Sequence, residues 1–325
     1  MITEHTKLKV AVLTGGISTE REISLQSGRC IGGALEQAGI DVVLADVTPD
    51  ILEILDDTSI DVFFIAIHGQ FGEDGQLQQI LEDRRLAYTG SGPTANRLAM
   101  DKLASKRAFA RAGVAVPDAI EFDHKLNAGE LENKLKHFAD AYVVKPVTQG
   151  SSVGVTIVYD PRQVIPEARK CRREFGDCMI ERFVPGREVT VGILSGKALP
   201  VIEIRPAEKF YNYHAKYLDE QTEYLFATIE NPAIEADIKT KALACFEALG
   251  CRHFGRVDFI VSDDGLAHAL EVNTIPGFTT HSCLPKAAER AGIPMSRLCV
   301  KIVEAALNIH SSDRIRLDSS VRLHG

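Results

Sequence analysis

Short apolar runs at Lys9–Leu13, Val42–Val47 and Val62–Ile67 alternate with stretches of helical period. That rhythm belongs to parallel β-α units, so the first hundred or so residues read as a small doubly wound domain. After the first run come Gly15-Gly16 and then Thr19-x-x-Glu22, the form of a capping box, opening a helix that runs to about Ala38 and stops at Gly39. His68-Gly69 follows the third run directly. Ligands collect at the C-terminal ends of strands in open α/β sheets, so Glu20 and His68 are expected to face one crevice. A helix from about Met100 to Gly113 leads to Val116-Pro117, a boundary between units. The second unit has strands at Tyr142–Pro146, up to Tyr159 and at Met179–Val184, a loop Thr148–Gly154 and a helix after Pro161. The third has strands at Glu188–Leu194 and Leu199–Arg205, a polar and aromatic stretch Phe210–Phe226 as long as a lid, and helices at about Ala233–Leu249 and Met295–Asn308. The divisions fall at 1–102, 103–187 and 188–310, and 311–325 reads as a mobile polar tail. The fold class is α/β and α+β.

The most informative pattern is late in the chain. Arg256-Val257-Asp258-Phe259-Ile260 and Leu270-Glu271-Val272-Asn273 flank Asp264-Gly265, the dipeptide of a two-residue type I′ hairpin turn. A turn centred there pairs Asp258 with Glu271 and Arg256 with Asn273. Strand alternation then gathers Arg256, Asp258, Glu271 and Asn273 on one face, and Val257, Phe259, Val261, Leu270 and Val272 on the other. Carboxylate and amide oxygens are hard ligands suited to Mg²⁺. Taken alone, the same pattern also describes a half-exposed hairpin with a charged wet face. A turn of odd length would swing Glu271 onto the oily face.

Composition narrows the class. The 325 residues are 45% hydrophobic and 25% charged, enough for two or three soluble domains. No stretch approaches the ~18 apolar residues of a membrane span, and Met1–Lys9 lacks the apolar core of a signal peptide, so a cytoplasmic protein with no membrane partner is expected. Seven cysteines without Cys-x-x-Cys fit reduced packing thiols. A net charge of −8 argues against nucleic acid as a partner. Any phosphate site must be local. Lys145 ends an apolar strand just before Gly150-Ser151-Ser152-Val153-Gly154, a loop able to bring backbone N–H groups to phosphate oxygens, or simply a flexible turn. Neither a Walker A loop nor Gly-x-Gly-x-x-Gly occurs, which removes the main support for a dehydrogenase.

Seven motifs together carry a resemblance. They are Gly15 to Leu25 (Gly-Gly-x-Ser-x-Glu-Arg-Glu-x-Ser-Leu), His68 to Gly75, Tyr88 to Gly92, Met100 to Lys102, Lys145 to Gly154, Ala215 to Tyr217 and Glu271 to Gly277. From about Lys9 to Asn308 the chain closely resembles the D-alanine-D-alanine ligases of the ATP-grasp superfamily. The resemblance implies an N-terminal doubly wound parallel-sheet domain followed by a two-lobed ATP-grasp fold. It implies ATP between the second and third units, with Lys102, Lys145 and Lys216 on the phosphates and Ser151 in the loop above them. Glu181 and the chain through Arg182, Phe183 and Val184 would hold adenine, and Glu188 the ribose. Two Mg²⁺ ions, replaceable by Mn²⁺, would sit on Asp258, Glu271 and Asn273, with K⁺ a further candidate cation. The first D-alanine would place its ammonium at Glu20, near His68, and the second its carboxylate at Ser282. Arg256 and the Gly277 N–H would face the oxyanion, and Ser151 and Tyr217 would join Glu20 in a latch. The same resemblance implies a homodimer that makes the terminal dipeptide of a peptidoglycan precursor. Phe71, Gln149 and His214 depart from the family pattern. His214 bears on the alternatives of D-lactate or D-serine as second substrate, and an ATP-binding regulatory protein without turnover is a rival of another class.

Overall fold

Val10, Ala11, Val12 and Leu13 are fully buried, as a strand covered on both faces must be. They form β1 (Lys9–Gly15), which lies between β2 (Asp41–Val47) and β3 (Val62–Ile65) in a three-stranded parallel sheet. The computed structural model describes residues 7–123, 125, 127–136, 138–206 and 222–321. The helix α1 (Arg21–Gln37) crosses from β1 to β2. The capping box expected at Thr19 and Glu22 is not made: Glu20 is the N-cap and no side chain caps the helix there. Ser18 does the local work instead, accepting from the Glu20 N–H at 3.1 Å and donating to the His68 carbonyl at 2.7 Å. Helices α2 (Gln76–Asp83) and α3 (Pro93–Met100) complete this part.

Next come α4 (Lys102–Arg111), β4 (Ala119–Glu121), α5 (Ala128–Leu135), β5 (Tyr142–Pro146), β6 (Thr156–Val158), α6 (Pro161–Phe175) and β7 (Cys178–Arg182). The four strands make an antiparallel sheet in the order β4-β7-β5-β6. Val144, Val158 and Ile180 of that sheet pack against Val164 and Ala168 of α6. A five-stranded antiparallel sheet follows, built from β8 (Arg187–Leu194), β9 (Lys197–Arg205), β10 (Glu223–Phe226), β11 (Phe254–Val261) and β12 (Ala267–Asn273) in the order β10-β9-β8-β11-β12. Ile238, Ala242 and Phe246 of α7 (Pro232–Ala248) pack against Val189, Val257 and Phe259 of its strands. The chain closes with α8 (Cys283–Arg290) and α9 (Met295–Val321). The last helix runs on past Asn308, so most of the stretch read as a tail has helical backbone. No helix among the described residues is long and apolar enough to cross a membrane.

The first and third parts share one core. Phe64 of β3 meets Phe278 edge-on at 5.7 Å and Phe254 of β11 at 6.2 Å, and Phe254 meets Phe278 at 5.7 Å. Leu284 and Leu298 join the same apolar cluster as Val10 and Ile31. Beside it, Arg252 donates to the Gly90 carbonyl at 3.0 Å, while the Gly90 N–H donates to His253 Nδ1 at 3.0 Å. Burial, with Arg252 adding to it, lowers the His253 pKa to about 3, which keeps the ring in the neutral form that this acceptor role needs.

The hairpin reaches its expected register by an unexpected route. Gly265 N–H donates to the Ser262 carbonyl at 2.8 Å and Ser262 N–H to the Leu266 carbonyl at 3.1 Å, enclosing a three-residue loop rather than a type I′ turn. Gly265 takes φ +84°, and Asp264 does not enter the left-handed region. An odd loop alone would have reversed Glu271. A β-bulge restores the order: Phe259 pairs with Ala269 but Asp258 pairs with Glu271, so Leu270 is the extra residue. Arg256 pairs with Asn273 as expected. Leu270 leaves the oily face on which the pattern put it and lines a cleft with Ile260, Asp258 and Glu271. These two placements predict different losses. Phe259→Ala should cost roughly 3–5 kcal/mol in chemical denaturation, whereas Leu270→Ala should cost less than about 1.5 kcal/mol. Equal losses would contradict the bulge.

Candidate active site

Two clefts meet at one wall. The first, about 810 Å³, is lined by Glu20, Ser151, Arg256, Asn273, Gly277 and Ser282 among others. The second, about 870 Å³, lies between the four- and five-stranded sheets and is lined by Lys145, Phe183, Val184, Glu188 and Asp258 among others. Lys102 and Glu271 line both.

At the wall, cross-strand pairing puts two carboxylates side by side. Asp258 receives a two-pronged bond from Arg256, Nε to Oδ1 at 2.9 Å and an Nη to Oδ2 at 2.7 Å, and the Thr190 hydroxyl donates to Oδ1 at 2.6 Å. Glu271 pairs with Lys102 Nζ at 3.0 Å. Lys102 is delivered by the helix start that Asp101 caps, accepting from the Ala104 N–H at 2.8 Å. Its ammonium also donates to the Gln149 carbonyl at 2.7 Å, tying the glycine-serine loop to the wall. The Asn273 side-chain oxygen accepts from the Ile275 N–H at 3.0 Å. Among the described residues no three His, Cys, Asp or Glu side chains gather as a metal-binding group. Two carboxylates and one amide oxygen still fit Mg²⁺, which leaves most of its positions to water and phosphate oxygens.

The far end of the first cleft holds a second set. Ser151 donates to the buried Glu20 carboxylate, joining the glycine-serine loop to the start of α1. The chain turns Ser151 that way through two consecutive left-handed residues, Ser151 at φ +51° and Ser152 at φ +59°. Non-glycine residues adopt that conformation at a cost of about 1–2 kcal/mol each, a strain typical of functional loops. His68 is buried, with Nε2 3.1 Å from the Ser27 hydroxyl and Nδ1 2.9 Å from the Ile275 carbonyl. Glu73 Oε1 stands 3.9 Å from that Nδ1. Burial opposes charge on the imidazole, but Glu73 and Glu20 outweigh it and raise its pKa; burial likewise raises the Glu73 carboxyl. Nearby, Phe71 holds φ +76° while fully buried.

Gly277 and Ser282 form the floor. A Cβ at Gly277 would lie 2.6 Å from the Ser282 hydroxyl oxygen, so any larger residue would push that hydroxyl from its place. That oxygen accepts from the Thr279 N–H at 3.0 Å, and Ser282 is the N-cap of α8, whose free N–H groups favour an anion.

In the second cleft Glu181 is the buried anchor. Its Oε1 is 2.9 Å from Lys145 Nζ and its Oε2 is 2.6 Å from Lys106 Nζ. Burial works against its ionised form, yet the two lysines prevail and lower its pKa. Arg182, Phe183 and Val184 continue along the cleft wall, and Glu188 lies on the strand opposite Ile260. The structure thus gathers Glu20, Ser151, Lys102, Arg256, Asn273, Gly277 and Ser282 in one cleft and Lys145, Glu181 to Val184, Glu188 and Asp258 in its neighbour, while His68 supports the first from behind. Lys216, Tyr217 and His214 lie outside the described residues. Sequence reasoning passed over Lys106 and Thr190. Lys106 did leave a signal, falling one helical turn after Lys102 on the same face of α4; Thr190 left none.

A family model for the D-ala D-ala ligase C-terminus matches residues 109–304, and one for the D-ala D-ala ligase N-terminus matches residues 50–91. The D-alanine-D-alanine ligase of Anaeromyxobacter sp. (strain Fw109-5) is 43% identical over 301 residues, covering 93% of this chain and 97% of its own. The solved structure of the Bacillus anthracis D-alanine-D-alanine ligase complexed with ATP matches with a TM-score of 0.79 at 34% identity, covering 94% of this chain and 99% of that one. The VanG D-Ala:D-Ser ligase from Enterococcus faecalis matches at 0.80 and 26% identity, covering 92% and 99%. With its clefts, its sheets and its sequence in agreement, the chain belongs to the D-alanine-D-alanine ligase family.

Proposed function

We propose that this protein joins two D-alanine molecules with ATP, through a D-alanyl phosphate, releasing ADP and phosphate and supplying the dipeptide for peptidoglycan precursors. The observation that carries the reading is the wall shared by the two clefts, where Lys102 and Glu271 stand between the cleft that holds Glu20 and Ser282 and the one that holds Lys145 and Glu181. A carboxylate is a poor electrophile, and transfer of the ATP γ-phosphoryl group to the first D-alanine makes its carbonyl carbon reactive. In this reading the adenine lies along Glu181 to Val184, the ribose meets Glu188, and Lys102, Lys145 and Lys216 offset the charge that moves with the phosphoryl group. Asp258, Glu271 and Asn273 would hold two Mg²⁺ ions, which when bound neutralise and align phosphate oxygens.

Glu20 binds the ammonium of the first D-alanine, and its bond to Ser151 draws the glycine-serine loop over the activated group. Closure matters because an acyl phosphate open to water hydrolyses. Tyr217, outside the described residues, would complete that latch. The second D-alanine sets its carboxylate at Ser282 and the N-terminus of α8, and its neutral amine attacks the acyl phosphate. The Gly277 N–H and Arg256 stabilise negative charge on the former carbonyl oxygen as it develops, and the phosphate leaves. The same reading has the enzyme working as a homodimer in the cytoplasm, a reducing compartment that suits cysteines held outside disulfides.

Supplied with ATP and a panel of D-alanine, D-serine and D-lactate, the protein should form ADP with D-alanine alone and yield D-alanyl-D-alanine by mass. A depsipeptide or a D-alanyl-D-serine product formed in preference would contradict the second-substrate assignment. Glu271→Gln should lower ADP formation about a thousandfold with unchanged circular dichroism; wild-type turnover would refute the metal assignment. Ser151→Ala should reduce kcat/KM for D-alanine by about 10- to 100-fold, the worth of a hydrogen bond to a charged group. An unchanged value would remove the latch from the mechanism.

A further inference from the structure

We propose that Lys106 is a positioning residue of the nucleotide site: it holds Glu181 as an ionised acceptor for adenine and leaves the charge of Lys145 available to phosphate. The inference rests on the proposed ATP-dependent reading. Lys106 lines neither cleft. It is buried behind Glu181, with its ammonium 2.6 Å from Glu181 Oε2 and donating to the Pro117 carbonyl at 3.2 Å. Its contact with the nucleotide site therefore runs through Glu181.

Charge decides what that effect is. One buried carboxylate between two ammoniums carries a net charge of +1. If Lys106 were absent, Glu181 and Lys145 would neutralise each other, and this cluster would bring no net charge to a polyphosphate. A buried carboxylate with one partner also takes up a proton more readily than one with two. Ionised, Glu181 can only accept hydrogen bonds, which suits the 6-amino group of adenine and repels the 6-oxo group of guanine. Protonated, it can donate, and the distinction fades. Burial, aided by Lys145 and Lys102, outweighs the pull of the Glu181 carboxylate and leaves the Lys106 pKa lowered to about 8. Each group thus favours the charged form of the other.

The alternative is that Lys106 only ties α4 to the chain before β4 through Pro117, in which case its loss would lower stability without a nucleotide signature. Calorimetric binding of ADP and GDP to the full-length protein separates the two. Lys106→Met should weaken ADP about tenfold or more and narrow the ADP-over-GDP preference by about the same factor, while Lys106→Arg should stay within about threefold of wild type. In a Glu181→Gln background, Lys106→Met should change ADP affinity by less than about twofold, since the carboxylate that needs it is gone. An unaltered ADP-over-GDP preference in Lys106→Met overturns the proposal. So does an equal loss of ADP affinity in both backgrounds. If Lys106→Met alone does not fold, Glu181→Gln against the double variant decides by the same criterion. A wild-type protein that binds ADP but makes no dipeptide contradicts the functional reading alone.

Discussion

Everything in the site depends on placing Asp258 and Glu271 directly opposite each other on neighbouring antiparallel strands. Like charges in that position repel and destabilise a sheet. They persist here because each is met by a cation from a different direction, Arg256 from two residues away on the same strand and Lys102 from the start of α4. The pair is therefore a standing demand for positive charge. A hairpin with that demand, at the junction of two clefts, is suited to gather metal, phosphate and carboxylate together.

The surrounding structure serves that pair. The Phe64, Phe254 and Phe278 cluster and the hold of Arg252 and His253 on Gly90 fix the first part of the chain against the five-stranded sheet. Asn96 extends the join by accepting from the buried Thr274 hydroxyl at 2.5 Å, one residue beyond β12. That docking brings Glu20, from the loop after β1, to the same cleft as Arg256 and Asn273, and sets His68, from the loop after β3, behind it against the Ile275 carbonyl. The glycine-serine loop then bridges the remaining gap, held by Lys102 at Gln149 and by Glu20 at Ser151.

The sequence was legible where period and burial agree. The continuous apolar run of β1 and the alternation in β11 each have one satisfactory placement, and both were read correctly. The hairpin came out right at Asp258 and Glu271 although its turn was misread, because two irregularities cancel: an odd loop and one extra residue at Leu270. A bulge carries no local composition signal here, so only the structure reveals that Leu270 faces the cleft. The Thr19 capping box failed for a related reason. Ser18 and Glu20 are committed to tertiary bonds with the His68 carbonyl and with Ser151, and these outweigh a local cap. Lys106 escaped notice because its meaning lies in a carboxylate from a distant strand.

The most direct test of the carboxylate pair is the affinity for ADP measured with and without Mg²⁺ in the wild-type protein and in Asp258→Asn. In the wild type, Mg²⁺ should tighten ADP binding by about tenfold or more, and in Asp258→Asn that gain should nearly vanish while metal-free binding is retained. A Mg²⁺ dependence identical in the two proteins would contradict the claim that this pair is where metal and nucleotide meet.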